Sequence, residues 1–252
     1  MMKKVFFIGA GPGDPELLTL KGKKLIDNAD VIIYAGSLVN PLVYQDKKDS
    51  AIVYNSAQMS LPEVLKVMVE AVANHKSVVR IHTGDPSIYG AIQEQMDFLL
   101  KHNIEYEVVP GVSSFTASAA AIKREFTLPG VTQTVICTRL EGRTPVPKLE
   151  QLELLASHQA SMAIFLSVQM IDKVVKRLTK HYGETTPVAV VERATWPNQK
   201  IVIGTLANIA AKVKEANITR TAQILVGDFI DCEYQFSKLY DENFSHMFRE
   251  AK

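Results

Sequence analysis

Two short loops of nearly the same composition constrain the fold of this chain more than any other feature. One is Gly-Ala-Gly-Pro-Gly-Asp-Pro at 9–15, and the other is Gly-Asp-Pro-Ser-Ile-Tyr-Gly at 84–90. Each follows a short apolar run and precedes a run with helical periodicity. Glycine permits positive φ and close approach to bare backbone, while proline restricts φ and removes a donor. The loops are therefore stiff turns at the carboxyl ends of strands, where open α/β sheets bind ligands.

The first half of the chain alternates β-branched runs with helical periodicity, a pattern typical of βα units and a largely parallel sheet. Ser60 and Glu63 have the spacing of a capping box at the start of one helix. The predicted strands of this half are residues 5–8, 31–34, 52–54, 78–82 and 106–109.

The second half of the chain has a different pattern of predicted strands and helices. Strands at 133–137 and 162–166 precede a helix ending near residue 178, and a last strand covers 223–226. Strands at 188–191 and 201–203 are separated by turn-forming residues, as in an antiparallel hairpin. We therefore predict an α/β fold with two α/β domains, the first with a largely parallel sheet at 1–112 and the second with a mixed sheet at 113–235. A C-terminal tail follows at 236–252.

Composition excludes several classes of partner. With 28 Lys+Arg and 27 Asp+Glu the net charge is +1, so no overall field attracts nucleic acid or an anionic membrane. The longest uncharged stretch, 154–171, contains His158 and two glutamines, which argues against a membrane span. Cys137 and Cys232 lie in apolar, strand-like contexts and are predicted to be reduced core thiols without a metal or redox role. These features predict a cytoplasmic protein.

The first loop has part of a dinucleotide-binding pattern. Gly9 and Gly11 match its first two glycines, but Asp14 occupies the place of the third, and Pro12 removes an amide that would bind a pyrophosphate. A carboxylate at this point would repel phosphate. Two acidic, glycine-lined loops suit a cationic or hydroxyl-rich ligand better, and the alternative is a purely structural turn with Asp14 as a helix cap.

Four ordered motifs resemble those of the tetrapyrrole (corrin/porphyrin) methyltransferases. They are 9–19, 84–90, Pro-Gly-Val-Ser-Ser at 110–114 and Val-Val-Glu-Arg-Ala-Thr at 190–195, and the match extends to about residue 229. The segments 34–41 and 84–95 resemble the branch that methylates precorrin-4 or cobalt-precorrin-4 at carbon 11 in cobalamin biosynthesis. The resemblance implies two α/β domains of the tetrapyrrole methylase type, S-adenosylmethionine (SAM) in a cleft between them, and a homodimer.

The resemblance also assigns binding residues. From the first domain the implied SAM contacts are Pro12, Thr83, Gly84, Asp85, Ile88, Ser113 and Ser114, and from the second they are Leu166, Ala194 and Ala222. Many relatives carry methionine in place of Leu166 and glycine in place of Ala194. Asp85 is the carboxylate expected to accept hydrogen bonds from the ribose hydroxyls or the ammonium group of SAM, or alternatively to cap a helix.

The acceptor implied by the resemblance is a tetrapyrrole with several carboxylate arms. Arginine binds carboxylates with two parallel hydrogen bonds, so Arg193, Arg139 and Arg143 are substrate-binding candidates, together with Asp14 and Tyr89. No catalytic group is assigned, and Asp14, Tyr89 and Glu192 are the candidates. We expect no protein-bound metal, so any cobalt would be carried within the substrate.

Three alternatives remain at this point. One is a methyltransferase of the same fold that acts on another ring carbon, on RNA or on a protein histidine. Another is a nicotinamide-dependent oxidoreductase that uses the first glycine loop. The last is a ligand-binding module without turnover.

Overall fold

A computed structural model describes residues 4–251 and divides the chain into two compact units. The first unit is Met1–Ala117 with Arg193–Asn198, and the second is Ser118–Glu192 with Gln199–Lys252. The second unit thus begins at Ser118 rather than at the predicted residue 113. The segment Arg193–Asn198, which the prediction assigns to the second domain, belongs to the first unit.

The first unit contains a parallel five-stranded sheet in the order β3-β2-β4-β1-β5, as predicted. The predicted capping box is present, because the Glu63 carboxylate accepts a hydrogen bond from the Ser60 backbone N–H at 2.7 Å. The elements are β1 Val5–Gly9, α1 Leu20–Asp27, β2 Val31–Tyr34, β3 Ile52–Asn55, α2 Leu61–Ala73, β4 Val78–His82, α3 Gln93–Lys101, β5 Tyr106–Val109 and α4 Ser114–Ala121, of which α4 extends past the division between the units.

The sheet of the first unit is covered on both faces. Neighbouring residues of a strand point to opposite faces, and Phe7 and Ile8 are both fully buried. Phe7 belongs to one hydrophobic cluster with Met68 of α2 and Leu99 of α3, whereas Ile8 belongs to another with Ile26 of α1. Burial on both faces explains why these strands have continuous apolar runs rather than alternation.

The second unit contains a mixed five-stranded sheet in the order β6-β7-β10-β8-β9, which confirms the predicted mixture. β6 and β7 are parallel, while β10 is antiparallel to both of its neighbours and β8 and β9 form the predicted hairpin. Its core packs one face of the sheet against three helices. The elements are β6 Val135–Arg139, α5 Leu152–Ala156, β7 Ser161–Phe165, α6 Ile171–Leu178, β8 Pro187–Glu192, β9 Lys200–Thr205, α7 Ile209–Glu215 and β10 Ala222–Val226.

The prediction of buried core cysteines is wrong. Cys137 and Cys232 are both free and exposed. Cys137 lies on β6, which is an edge strand, and Cys232 follows β10 and lies outside any strand. Apolar neighbours in the sequence therefore did not indicate a buried position.

No helix within residues 4–251 combines the length and the apolar character needed to cross a membrane.

Candidate functional site

The strand order of the first sheet brings the two Gly-Asp-Pro loops together. β4 and β5 are the neighbours of β1, so the loops that follow these strands emerge side by side at the carboxyl edge. Gly11 N–H donates to Gly84 O at 3.3 Å, and Gly84 N–H donates to Gly11 O at 2.8 Å. The predicted position of both loops at strand ends is confirmed, and the structure adds that they bind each other.

A third loop, at the end of β5, completes this junction. A Cβ atom on Gly111 would lie 2.3 Å from Gly84 O, and one on Gly9 would lie 2.6 Å from the same oxygen. All of these neighbours are backbone atoms, which cannot move aside as a flexible side chain can. Three backbones therefore approach at a distance that only glycine allows.

Asp85 links the second loop to the third. One carboxylate oxygen accepts a hydrogen bond from Ser87 N–H at 2.8 Å, and the other accepts one from Gly111 N–H at 2.8 Å. The first bond closes a turn rather than the helix start that the structural alternative predicted, because the next helix begins only at Gln93. The second bond fixes the loop after β5. A carboxylate has about four acceptor positions, so these two bonds leave capacity for a ligand.

The first loop is held by a tryptophan from far along the chain. The Trp196 indole N–H donates to Pro12 O at 2.9 Å. A Cβ atom on Gly13 would lie 2.1 Å from the indole ring, so the ring covers the glycine directly. Pro12 and Gly13 are buried as a result of this packing and of the sheet beneath them.

Two further contacts fix the same loop. The buried Asn40 side chain donates to Gly13 O at 2.8 Å, and the Thr195 hydroxyl accepts a hydrogen bond from Asp14 N–H at 2.9 Å. The Asp14 carboxylate itself accepts one from Glu16 N–H at 2.9 Å. The structural alternative for Asp14, a helix cap, is therefore present, and the cap begins a short 3₁₀ helix.

Sequence reasoning missed Asn40 and Trp196. Asn40 lies within the 34–41 signature, and Trp196 is the single tryptophan of the chain, within the hairpin connection. A Trp N–H requires an acceptor when it is buried, and that requirement was the available signal. Nothing local in the sequence identifies a carbonyl 184 positions earlier as its partner.

The other predicted residues of the first unit lie in or next to the second and third loops, or in the segment Arg193–Asn198. Ser113 is buried, and its carbonyl accepts hydrogen bonds from Ala117 N–H and from the Thr116 hydroxyl. Ser114 begins α4, directly beside Gly84.

The remaining predicted residues of the first unit differ in burial. Thr83 and Ile88 are half-buried, and Ala194 is buried.

Tyr89 has an unusual backbone. Its φ is +56°, and that of Ala91, two residues later, is +48°. Residues other than glycine rarely adopt this region, and when they do they often belong to functional segments. Its side chain is 46% exposed, which leaves the ring accessible beside the second loop.

The predicted residues of the second unit lie at the same end of three adjacent strands of its sheet, β7, β10 and β8. Leu166 directly follows β7, Ala222 begins β10, and Ala222 is paired with Glu192 at the end of β8. Leu166 is 70% exposed and has a φ of +54°, so an apolar side chain is presented to the surface by a strained backbone. The Glu192 carboxylate lies 3.7 Å from Lys200 Nζ.

The two arginine candidates of the second unit differ from each other. The Arg139 guanidinium donates to the carbonyls of Leu140, Thr144 and Pro145, the last at 2.7 Å. Arg139 therefore stabilises the connection that follows β6. Arg143 lies exposed within that connection.

His82 ends β4 beneath the second loop and is 4% exposed. Its Nε2 atom has no hydrogen-bond partner among the described residues, and its ring centroid lies 6.3 Å from that of Phe7. Burial, reinforced by the charge of Arg80, lowers the pKa of His82 to about 3. The imidazole is therefore neutral at neutral pH and too weak a base to accept a proton in catalysis.

This pKa predicts an acid sensitivity that the His82→Phe variant should lose. In the unfolded chain a histidine has a pKa of about 6.5, so below that value the unfolded state binds a proton that the folded state does not. The free energy of unfolding should fall by up to about 2 kcal/mol through this group between about pH 7 and pH 5. Urea unfolding at both pH values measures the difference, with His158→Gln, at an exposed site, as control. An equal acid dependence in wild type and His82→Phe would contradict the prediction.

Among residues 4–251, no group of three or more His, Cys, Asp or Glu side chains could hold a metal ion.

Comparison with known proteins supports the fold and identifies the family. The family described as Tetrapyrrole (Corrin/Porphyrin) Methylases matches residues 4–210. A Methanocaldococcus jannaschii protein named cobalt-precorrin-4 C(11)-methyltransferase is 59% identical over 251 residues, which cover 99% of this chain and 97% of that protein.

Two solved structures share the fold. The X-ray structure of a cobalamin biosynthetic enzyme, cobalt precorrin-4 methyltransferase, superposes with a TM-score of 0.89 at 46% identity, covering 91% of this chain and 96% of that one. A uroporphyrin-III C-methyltransferase from Thermus thermophilus, complexed with S-adenosylhomocysteine, gives a TM-score of 0.76 at 27% identity, covering 90% and 98%. The chain belongs to the tetrapyrrole (corrin/porphyrin) methylases.

Proposed function

We propose that this protein transfers a methyl group from SAM to carbon 11 of (cobalt-)precorrin-4, giving (cobalt-)precorrin-5 in cobalamin biosynthesis. The observation that carries the proposal is 59% identity along 99% of the chain to a relative named for that reaction. The fold similarity to the cobalt precorrin-4 methyltransferase supports it. These relatives give no support to a nicotinamide-dependent oxidoreductase.

The first unit has features that suit SAM. Gly84 has a φ of +62°, and a Cβ atom there would be in ordinary contact, 3.6 Å from Ser114 N. Because Gly84 has no side chain, its backbone and the nearby backbone amide are open to an adenosine or an amino acid group of a ligand. The residues that would hold SAM are Pro12, Thr83, Gly84, Asp85, Ile88, Ser113, Ser114 and Ala194, with Leu166 and Ala222 from the second unit.

The chemistry makes few demands on side chains. SAM supplies a methyl group on a sulfonium centre, and the charge of that centre disappears on transfer, so no new anion needs stabilisation. Orientation of the donor and of a nucleophilic ring carbon is the main contribution of the protein. The rigid junction of Gly9, Gly84 and Gly111 meets that need. Asp14, Tyr89 and Glu192 remain the candidates for proton removal.

Substrate carboxylates need cationic donors. Arg193 is the strongest candidate, because its guanidinium has no hydrogen-bond or carboxylate partner among residues 4–251. Arg139 is engaged by backbone carbonyls, and Arg143 is exposed within the same connection. Asp14 and Tyr89 lie at the first and second loops, where they would face the macrocycle.

The substrate, rather than the protein, would carry the cobalt. The name of the Methanocaldococcus jannaschii relative supports a cobalt-containing acceptor. We further propose a homodimer, which rests on the family resemblance, and a cytoplasmic location. Two free, exposed cysteines suit a reducing compartment.

A direct test combines the purified protein with methyl-¹³C SAM and cobalt-precorrin-4 or precorrin-4. The expected product has gained one methyl group, and its ¹³C NMR signal identifies carbon 11. A methyl group on another ring carbon would support the same-fold alternative. Binding of both ligands without turnover would indicate a binding module, and binding of NAD without binding of SAM would indicate the oxidoreductase.

A further inference from the structure

Trp196 is fixed on the first loop from two directions. Its indole N–H donates to Pro12 O at 2.9 Å, and its ring lies directly over Gly13. Its backbone N–H donates to Arg193 O at 3.0 Å, which closes the turn 193–196. The indole is therefore immobilised by the loop and by its own turn.

Arg193 lies over this indole. Its guanidinium carbon is 5.5 Å from the ring centroid, within the range of a cation–π interaction. Its backbone is in the left-handed region, with a φ of +50°, and Thr195 follows with a φ of +70°. Since Thr195 also accepts a hydrogen bond from Asp14 N–H, the loop holds this strained turn in place.

The Arg193 guanidinium lies over the indole and has no acceptor within the described part of the chain. Among residues 4–251 no carbonyl or carboxylate accepts a hydrogen bond from it, and the side chain is half-buried. The cation–π contact involves the guanidinium carbon and the indole ring, so it leaves the N–H donors of Arg193 available to a ligand. A fixed planar fork of donors matches a carboxylate.

We propose that Trp196 is a positioning residue that fixes Arg193 beside the first loop to bind a carboxylate arm of the tetrapyrrole. This inference rests on the proposed function for the nature of the ligand. The ordering of a long side chain before binding is the physical gain, because a flexible arginine would have to be immobilised by the substrate itself.

The test is a double-mutant cycle read by tetrapyrrole affinity. The probe is uroporphyrin, a stable polycarboxylate tetrapyrrole whose own fluorescence reports binding. Trp196→Leu should raise its Kd about tenfold in the wild-type background, the size of a partly desolvated cation–π contact. In the Arg193→Gln background the same change should raise Kd by less than about twofold, since the two residues act as a unit.

A merely structural role would give another pattern. If Trp196 only supported the loop, Trp196→Leu would weaken uroporphyrin binding equally in both backgrounds, and that result would overturn the proposal. Trp196→Phe, which retains an aromatic face, should recover most of the affinity. No binding of uroporphyrin by the wild type, or an unchanged Kd in Arg193→Gln, would also overturn it.

The affinity for S-adenosylhomocysteine separates this inference from the proposed function. Arg193→Gln should change the Kd for S-adenosylhomocysteine by less than about twofold. If this variant lost more affinity for S-adenosylhomocysteine than for uroporphyrin, Arg193 would be assigned to the carboxylate of SAM, and the inference would be overturned. Wild-type protein that binds uroporphyrin with the expected coupling but does not bind S-adenosylhomocysteine would instead contradict the proposed function alone.

Discussion

Replacing Gly111 with alanine should both destabilise the protein and abolish tight binding of S-adenosylhomocysteine. The new Cβ atom would lie 2.3 Å from Gly84 O and 2.8 Å from Gly9 C, so backbone segments at the ends of three strands would have to separate. Overpacking of this kind costs about 1–3 kcal/mol, and we expect the upper end because no flexible side chain can yield. Urea unfolding measures the loss of stability. Calorimetric titration with S-adenosylhomocysteine, at a temperature below the onset of unfolding, should show a Kd increased by more than about tenfold.

Gly183→Ala is the matched control. Its Cβ atom would meet only Thr185 Oγ1, at 3.8 Å, on an exposed segment of the second unit. The free energy of unfolding should change by less than about 1 kcal/mol, and binding should be unaltered. Equal behaviour of the two variants would show that the junction adapts to a methyl group and that its glycines are not required.

Replacing Asp85 with alanine should have the next largest effect. The carboxylate accepts hydrogen bonds from Ser87 N–H and Gly111 N–H, and each bond to a charged group is worth about 1.5–3 kcal/mol. Two such bonds sum to about 3–6 kcal/mol, but because the group is only half-buried we expect a smaller loss of about 2–3 kcal/mol in the free energy of unfolding. The affinity for S-adenosylhomocysteine should fall by about 1–3 kcal/mol, since both a direct acceptor and the position of the loop after β5 are lost.

Asp14→Ala serves as the comparison, because its carboxylate makes a single cap bond to Glu16 N–H. This variant should lose about 1 kcal/mol of stability and bind S-adenosylhomocysteine like the wild type. Asp85→Asn, which keeps an acceptor oxygen, should fall between wild type and Asp85→Ala. An Asp85→Ala variant with unchanged S-adenosylhomocysteine affinity would refute the role of Asp85 in the donor site.

The strands were predictable because they are local. Every predicted strand of the first half is present, and the largest differences in the second half are at the edge of the sheet, where β6 covers Val135–Arg139 instead of 133–137. Runs buried on both faces, such as Val31–Tyr34, have a signal that does not depend on distant residues. An edge strand has fewer neighbours to define its ends, so its bounds and the exposure of Cys137 were harder to predict.

The candidate site was predictable in part. Glycines at 9, 84 and 111 indicated bare backbone, and the resemblance predicted which loops would bind SAM. The bond between Asp85 and Gly111 was not predictable, because Gly111 N–H becomes a neighbour of Asp85 only through the adjacency of β4, β1 and β5. Arg193 was a substrate candidate by its place in a motif, but its cation–π contact with Trp196 was not predicted.

Local patterns in the sequence were enough to predict the strands, some of the helices, the mixed character of the second sheet, the two loops at strand ends and the family. Each of these depends on periodicity, on the backbone freedom of glycine or on ordered motifs, which are properties of neighbouring residues. Only the folded chain shows that Arg193–Asn198 belongs to the first unit and that the Trp196 indole donates a hydrogen bond to Pro12. Contacts between residues so far apart in the sequence depend on the order of the strands and on the position of the connection between β8 and β9. No local pattern specifies either of these.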